Sequence, residues 1–331
     1  MREALAAWGL TEAAVTPIGP AAGPATPDPG AIAEWSVAPA PGYVLRRYAT
    51  RDAAVIAYEH AMLAYLAEDS WPVQTPVRAA GGATVVEAED ARWALFPAPA
   101  GEQPPDREIF VQRRGALLAL LHHDLASWAG MEVGGAFPRI DDLHAVAVAF
   151  GVPSFGALIS RVEAVDATRA AQIAALGDRN ADLLMRFGYD GLPEVPTWGG
   201  CTAAHVFFDG DDVTALLDFS RARPDARIVD IAASLLVEGD RDDGWRVHRW
   251  VAGYTAHAKP PLAEAEVDLV PNLITTLAIR RSIAALAASA AAGAIDAAAL
   301  ATVDAAMASE AAQREWRRII RTAAGFTSRS S

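Results

Sequence analysis

An Asp-Gly turn between two short apolar runs, set in an otherwise helical stretch, constrains this chain more than any other feature. Asp209-Gly210 has Val206-Phe207-Phe208 before it and Leu216-Leu217 after it, and a pair of this kind joins the two strands of a hairpin. On either side the spacing is helical. Arg107 to Trp128 carries Leu117, Leu118, Leu120 and Leu121 on one side, Phe155 to Phe187 continues the pattern, and it resumes from Ile228 onward. Nearer the N-terminus the pattern reverses. Short strands are predicted at Trp35-Ser36-Val37, Tyr43 to Tyr48, Thr84 to Glu87 and Arg92 to Phe96, around one helix from Ala53 to Leu66. Pro97-Ala98-Pro99-Ala100-Gly101 separates the two regions. Strands and helices segregated in this way define an α+β class, not alternating α/β. The expected organisation is a small strand-rich N-lobe over residues 1–96, a hinge over 97–102 and a large helical C-lobe over 103–331, with no internal repeat.

Composition excludes several function classes. A chain of 331 residues with 52% hydrophobic content can bury a large core. The 41 acidic residues outnumber the 28 basic ones, giving a formal charge of -13, and no Lys/Arg run is long enough to hold a nucleic acid, so that partner is set aside. The single cysteine, Cys201, fits a reducing compartment, and the seven histidines have no metal-ligand spacing. Met1-Arg2-Glu3-Ala4-Leu5 does not lead into an apolar run, so no signal peptide is expected. The Ala-rich stretch from Asn272 to Ile295 contains Arg280 and Arg281 and reads as an amphipathic helix, not a membrane span. The expected setting is cytoplasmic.

The element order and several local sequences resemble the aminoglycoside phosphotransferase and homoserine-kinase-like (choline kinase-like) superfamily, collinearly over almost the whole chain. Tyr43-Val44-Leu45-Arg46-Arg47-Tyr48 is similar to the strand whose basic residue contacts nucleotide phosphates, and Tyr58-Glu59-His60-Ala61-Met62-Leu63 to the helix whose Glu pairs with that base. Arg92 to Pro97, including Phe96, resembles the strand and hinge bordering the adenine. Ala116 to His122 resembles the first large-lobe helix, Asp230-Ile231-Ala232 the Asp-Leu-Ala after the metal-binding strand, and Tyr254 to Arg281 the closing helices. The resemblance implies a two-lobed, protein-kinase-like fold using ATP and magnesium, with Arg46, Glu59 and Phe96 at the nucleotide and Asp218 as metal ligand.

The catalytic segment, Thr197 to Phe208, keeps the frame but departs in its side chains. Where the family has His-Gly-Asp-x-His-x-x-Asn, its first His falls at Trp198, its general-base Asp at Gly200, its second His at Thr202 and its metal-ligand Asn at His205. The phosphate-covering turn, Ile18 to Gly30, is also long and proline-rich. Gly200 offers no proton acceptor, and imidazole suits a softer divalent ion better than magnesium. The first expectation is therefore a pseudokinase-like binding or accessory protein for a nucleotide, small molecule, peptide or partner protein. The alternative is an ATP-dependent phosphotransferase acting on a hydroxyl of an amino sugar, amino alcohol or natural product, with Asp218 and His205 as its site residues. Nucleotidyl transfer with an inverted nucleotide, or a lyase using His205, is a third reading. Structural readings stand beside these: Asp218 as a strand-end cap, Arg46 and Glu59 as an ion pair within the small lobe, His205 as a hydrogen-bonded core residue, and Trp198 as packing bulk.

Overall fold

The computed structural model describes residues 1–18, 32–38, 42–48, 52–130, 137–238 and 244–327. In chain order the elements are α1 (Arg2–Ala6), β1 (Val15–Ile18), β2 (Ile32–Val37), β3 (Tyr43–Tyr48), α2 (Ala53–Glu68), β4 (Val86–Ala88) and β5 (Ala91–Pro97). Helices α3 (Glu108–Leu125), α4 (Leu143–Ala149), α5 (Phe155–Glu163) and α6 (Ala167–Arg186) follow, then β6 (Glu194–Thr197). Strands β7 (Val206–Asp209), β8 (Asp212–Leu216) and β9 (Arg223–Ala226) come next. The chain finishes with α7 (Arg227–Glu238), α8 (Gly244–His257), α9 (Glu264–Ala291), α10 (Ala297–Ala311) and α11 (Gln313–Ala323). This is an α+β, two-lobed, protein-kinase-like architecture, with β1–β5 in one lobe and α3–α11 in the other.

Two compact units carry these elements. The first comprises Met1–Pro104, Gly130–Ala136 and Ala203–Arg221; the second comprises Pro105–Ala129, Phe137–Thr202 and Ala222–Ser331.

In the first unit the sheet order is β1-β2-β3-β5-β4, antiparallel throughout. Strand β3 lies at its centre, and its period-two alternation divides the faces. Leu45 packs with Val37, Trp93, Leu95, Ala4 and Leu5 on one face. Arg46 and Tyr48 address Glu59 of α2. Helix α2 starts where Asp52 accepts a hydrogen bond from the Ala54 amide at 2.7 Å, satisfying one of the otherwise orphaned amides of its first turn. The β7–β8 hairpin belongs to this unit as well. Glu102 and Phe208 exchange backbone bonds of 2.9 and 2.8 Å, and the Leu216 amide donates to the Pro72 carbonyl at 2.8 Å.

The second unit is built on α9. The sequence suggested an amphipathic helix here, but 18 of its 28 residues are buried, including Val267, Leu273, Ile279 and Leu286 on different faces. The helix is long and apolar enough to cross a membrane, yet two-thirds of its most apolar window (67%) lies inside the protein, as in a core helix packed by its neighbours. The helical stretch expected over Phe155 to Phe187 is present and divides into two helices. Asp166 accepts from the Arg169 amide at 3.0 Å and so caps α6 separately, while Ser154 caps α5. A buried ion cluster joins α3, α7 and α8: Arg114 donates to Glu238 at 2.5 Å, and Arg246 meets the same carboxylate at 3.3 Å.

Candidate functional site

In the first unit, the candidate residues Arg46, Glu59, Phe96, His205 and Asp218 form one constellation. Arg46 is fixed from three sides. Its Nε donates to Glu34 Oε1 at 2.8 Å across the β2–β3 register, and one terminal nitrogen donates to Glu59 Oε1 at 2.6 Å. Its guanidinium also lies 4.8 Å from the centre of the Phe96 ring, a cation–π arrangement. Tyr48 completes the set by donating its hydroxyl to Glu59 Oε2 at 3.2 Å. Burial works against the arginine's charge, but Tyr48, Glu59, Glu34 and Asp218 outweigh it and hold the guanidinium charged. Next to them His60 donates or accepts at Thr84, and burial, then the Arg46 charge, lower its imidazole to about 4. His60 is therefore neutral at ordinary pH.

Asp218 follows β8 and has φ 57°, a left-handed conformation that aspartate tolerates better than most residues. Its Oδ2 faces His205 Nε2 at 3.5 Å, and its Oδ1 accepts from the Ser220 hydroxyl. Burial disfavours the ionised carboxyl, yet its contact with His205, the Arg46 and Arg221 charges and the Ser220 hydrogen bond hold it well below the usual carboxylate range. His205 is placed by its own backbone, since its carbonyl accepts from the Leu217 amide at 2.9 Å where the hairpin opens. Among the described residues no group of three or more His, Cys, Asp or Glu side chains converges as a metal site. Asp218 and His205 are a pair of such side chains 3.5 Å apart. One carboxylate oxygen suits a hard cation that takes its remaining ligands from water and phosphate, whereas the imidazole does not. Of the expected phosphate-covering turn, residues 19–30 lie outside the described residues.

The second unit holds Trp198-Gly199-Gly200-Cys201-Thr202. Asp230, at the start of α7 and fully buried, anchors this segment: its carboxylate accepts from the Trp198 amide at 2.7 Å and the Gly199 amide at 2.6 Å. The same carboxylate meets His122 Nε2 at 2.9 Å, and His122 Nδ1 meets the Tyr254 hydroxyl at 2.8 Å. Ser234 continues the anchoring by accepting from the Cys201 amide at 2.8 Å. The Trp198 ring is entirely buried. Burial pushes the Cys201 thiol up, which leaves it protonated and unreactive. Gly200 has φ +123°, and a Cβ added there would lie 3.2 Å from the Ala233 methyl.

Several members of these networks were not found from the sequence. Glu34 pairs with Arg46 only through strand register, and Ser220 and Arg221 act through a short 3₁₀ turn, Phe219–Arg221. Asp230 was legible as a matching motif, but its role as acceptor for the loop amides was not.

Solved structures of similar fold are enzymes by name. A microcompartment-associated aminopropanol kinase aligns with TM-score 0.70 and 19% identity, over 98% of this chain and 97% of that one. An amicoumacin kinase, in complex with AMP-PNP, Ca2+ and Ami, aligns with TM-score 0.63 and 13% identity over 95% and 90%. A spectinomycin phosphotransferase bound to ADP and spectinomycin aligns with TM-score 0.58 and 10% identity over 92% and 95%. At these identities the likeness is one of fold. No curated protein sequence matches the chain. Residues 34–265 match the phosphotransferase enzyme family, and since that stretch is more than half of the sequence, the chain belongs to this family.

Proposed function

We propose that the protein is an ATP-dependent phosphotransferase of the cytoplasm acting on a hydroxyl of a small molecule such as an amino sugar, amino alcohol or natural product. The observation that carries this reading is the first-unit constellation: an ionised Asp218 carboxylate beside His205 and within reach of the Arg46 charge. Arg46, oriented by Glu34 and Glu59, neutralises nucleotide phosphates, and Phe96 borders the base. Asp218 supplies an oxygen to the divalent cation that accompanies ATP. Such a cation, when bound, would offset the charge of the phosphates, the main requirement of phosphoryl transfer. Acceptors named for the structural neighbours, an amino alcohol and two antibiotics, support the substrate class.

Gly200 gives the acceptor hydroxyl no side-chain base, and a positioned base contributes roughly 10²–10⁴-fold. Transfer slowed by that factor is still transfer, because charge neutralisation and positioning remain. Calorimetry with ATP, with and without magnesium, tests the nucleotide site. In Asp218→Ala, metal-dependent binding is expected to weaken by at least about tenfold to a hundredfold. Mass spectrometry of amino alcohols and amino sugars incubated with ATP then reads transferred phosphate. Unchanged metal-dependent binding and unchanged turnover in Asp218→Ala would sink the proposal.

Gly200 itself favours a second reading, a protein that binds a nucleotide, small molecule, peptide or partner protein without ordinary transfer. Its φ of +123° lies outside the left-handed well that side-chain-bearing residues adopt, and the Ala233 methyl stands close by. Gly200→Asp is therefore expected to cost about 1–3 kcal/mol of stability and to leave turnover no higher. Urea denaturation and the transfer assay check this together. A gain of a hundredfold or more in turnover would mean that the loop relaxes to accept the carboxylate.

A further inference from the structure

His205 and Asp218 present one nitrogen and one oxygen donor to the same point. We propose that this pair, together with nucleotide phosphate oxygens, binds a first-row transition-metal dication in preference to Mg2+; the inference rests on the nucleotide reading above. The separation of the two donors argues for it. Donors 3.5 Å apart, each about 2.1 Å from one ion, subtend an angle of about 110°. One ion can therefore meet both donors at once. Ligand chemistry points the same way, since imidazole is a natural ligand of Mn2+ to Zn2+ ions and a poor one for Mg2+.

Both donors are held in place. Ser220 donates to Asp218 Oδ1, leaving Oδ2 as the oxygen facing His205, a supporting contact of the kind that orients metal ligands. The Leu217 amide fixes the His205 backbone at 2.9 Å. The side chains remain 20% and 32% exposed, which leaves an ion a route in. With no third His, Cys, Asp or Glu converging among the described residues, the remaining ligands must come from phosphate and water. Arg46 and Arg221 add positive charge nearby, so an ion arriving with a polyphosphate is favoured over the bare ion.

The test is calorimetric titration of the full chain with AMP-PNP in the presence of Mg2+, Mn2+ or Co2+, paired with pulsed electron paramagnetic resonance of the Mn2+–AMP-PNP complex. Affinity is expected to rise from Mg2+ to Mn2+ to Co2+, and nitrogen modulation from an imidazole is expected in the resonance signal. In His205→Asn the modulation should vanish and the advantage of Co2+ over Mg2+ should shrink by at least about tenfold. The resonance measurement on the unmodified protein decides the matter even if that variant folds poorly. Equal affinity for the three complexes, without nitrogen modulation but with sensitivity to Asp218→Ala, overturns the metal preference and leaves the nucleotide site standing. No AMP-PNP binding with any of the ions overturns both.

Discussion

Replacing Gly115 by alanine is expected to lower stability by more than about 3 kcal/mol, although alanine in a helix interior ordinarily adds about 1 kcal/mol over glycine. The sign reverses because α3 and α8 cross with their backbones in contact. A Cβ at Gly115 would lie 1.9 Å from the Trp250 carbonyl oxygen and 2.9 Å from the Tyr254 amide nitrogen. Across the same contact, a Cβ at Gly253 would lie 2.0 Å from the Gln112 carbonyl oxygen. Main-chain atoms have no rotamer to yield, so the helices must move apart. That movement would open gaps beside Leu118, Trp250 and Tyr254, which are all buried, and gaps of this kind carry their own cost. Urea denaturation of Gly115→Ala, Gly253→Ala and the double variant checks the prediction. Each single change should be severe and the pair much less than additive, because helices already parted by one methyl have room for the other. A Gly115→Ala protein as stable as its parent would refute the close crossing.

That crossing was invisible in the sequence, where Gly115 is one residue inside a leucine-bearing helix. Periodicity gave the helix but not what it meets. Elements whose pattern is self-contained were legible: β3 and α2, and the hairpin from its Asp-Gly turn. The five-residue α1 was not, because it forms against the Leu45 side of the sheet and has too few residues to show a period. Strands β6 and β9 pair with each other across 25 intervening residues, from Thr197 to Arg223, and neither alternates clearly on its own. In α9 an alanine-rich pattern with two arginines suggested a polar face, and tertiary packing on most sides prevailed over it.

The candidate site was legible where its residues lie in segments with a local similarity of their own. Arg46, Glu59 and Phe96 came from local similarity, and they meet in the fold because β3, β5 and α2 place them there. Glu34 could be found only once strand register was known, since it is the residue opposite Arg46 in β2. His205 and Asp218 were legible as positions, but their 3.5 Å approach depends on the hairpin closing so that the His205 carbonyl meets the Leu217 amide. The conformation of Gly200 is a further case. Composition shows only two adjacent glycines, whereas the backbone angle and the nearness of Ala233 turn the missing side chain into a statement about what the segment can accept.

Asp230→Ala is expected to destabilise the protein by about 3 kcal/mol or more and to loosen the segment from Trp198 to Cys201 before the rest of the second unit. The carboxylate, itself fully buried, accepts from two consecutive amides, at 2.7 and 2.6 Å, and faces His122 at 2.9 Å. Removing it takes that acceptor away from donors in a buried or part-buried place, at roughly 1–3 kcal/mol for each buried group left unsatisfied. Asp230→Asn should be damaging too, because whichever way its side chain turns, its amide nitrogen would face one of the two backbone amides that need an acceptor. His122→Ala should cost less, since Asp230 would keep both amide partners while His122 and its tyrosine contact are lost. Hydrogen exchange separates the anchoring role from general stability. At low temperature, where the variant stays folded by circular dichroism, the Trp198 and Gly199 amides should exchange far faster in Asp230→Ala while the amides of α9 stay protected. Uniform acceleration across the second unit would mean that Asp230 stabilises the unit as a whole and does not hold the segment. Because Gly200 is flanked by anchored residues on both sides, release of this segment should also relieve its strained angle, and Gly200→Asp should then cost less in the Asp230→Ala background than alone.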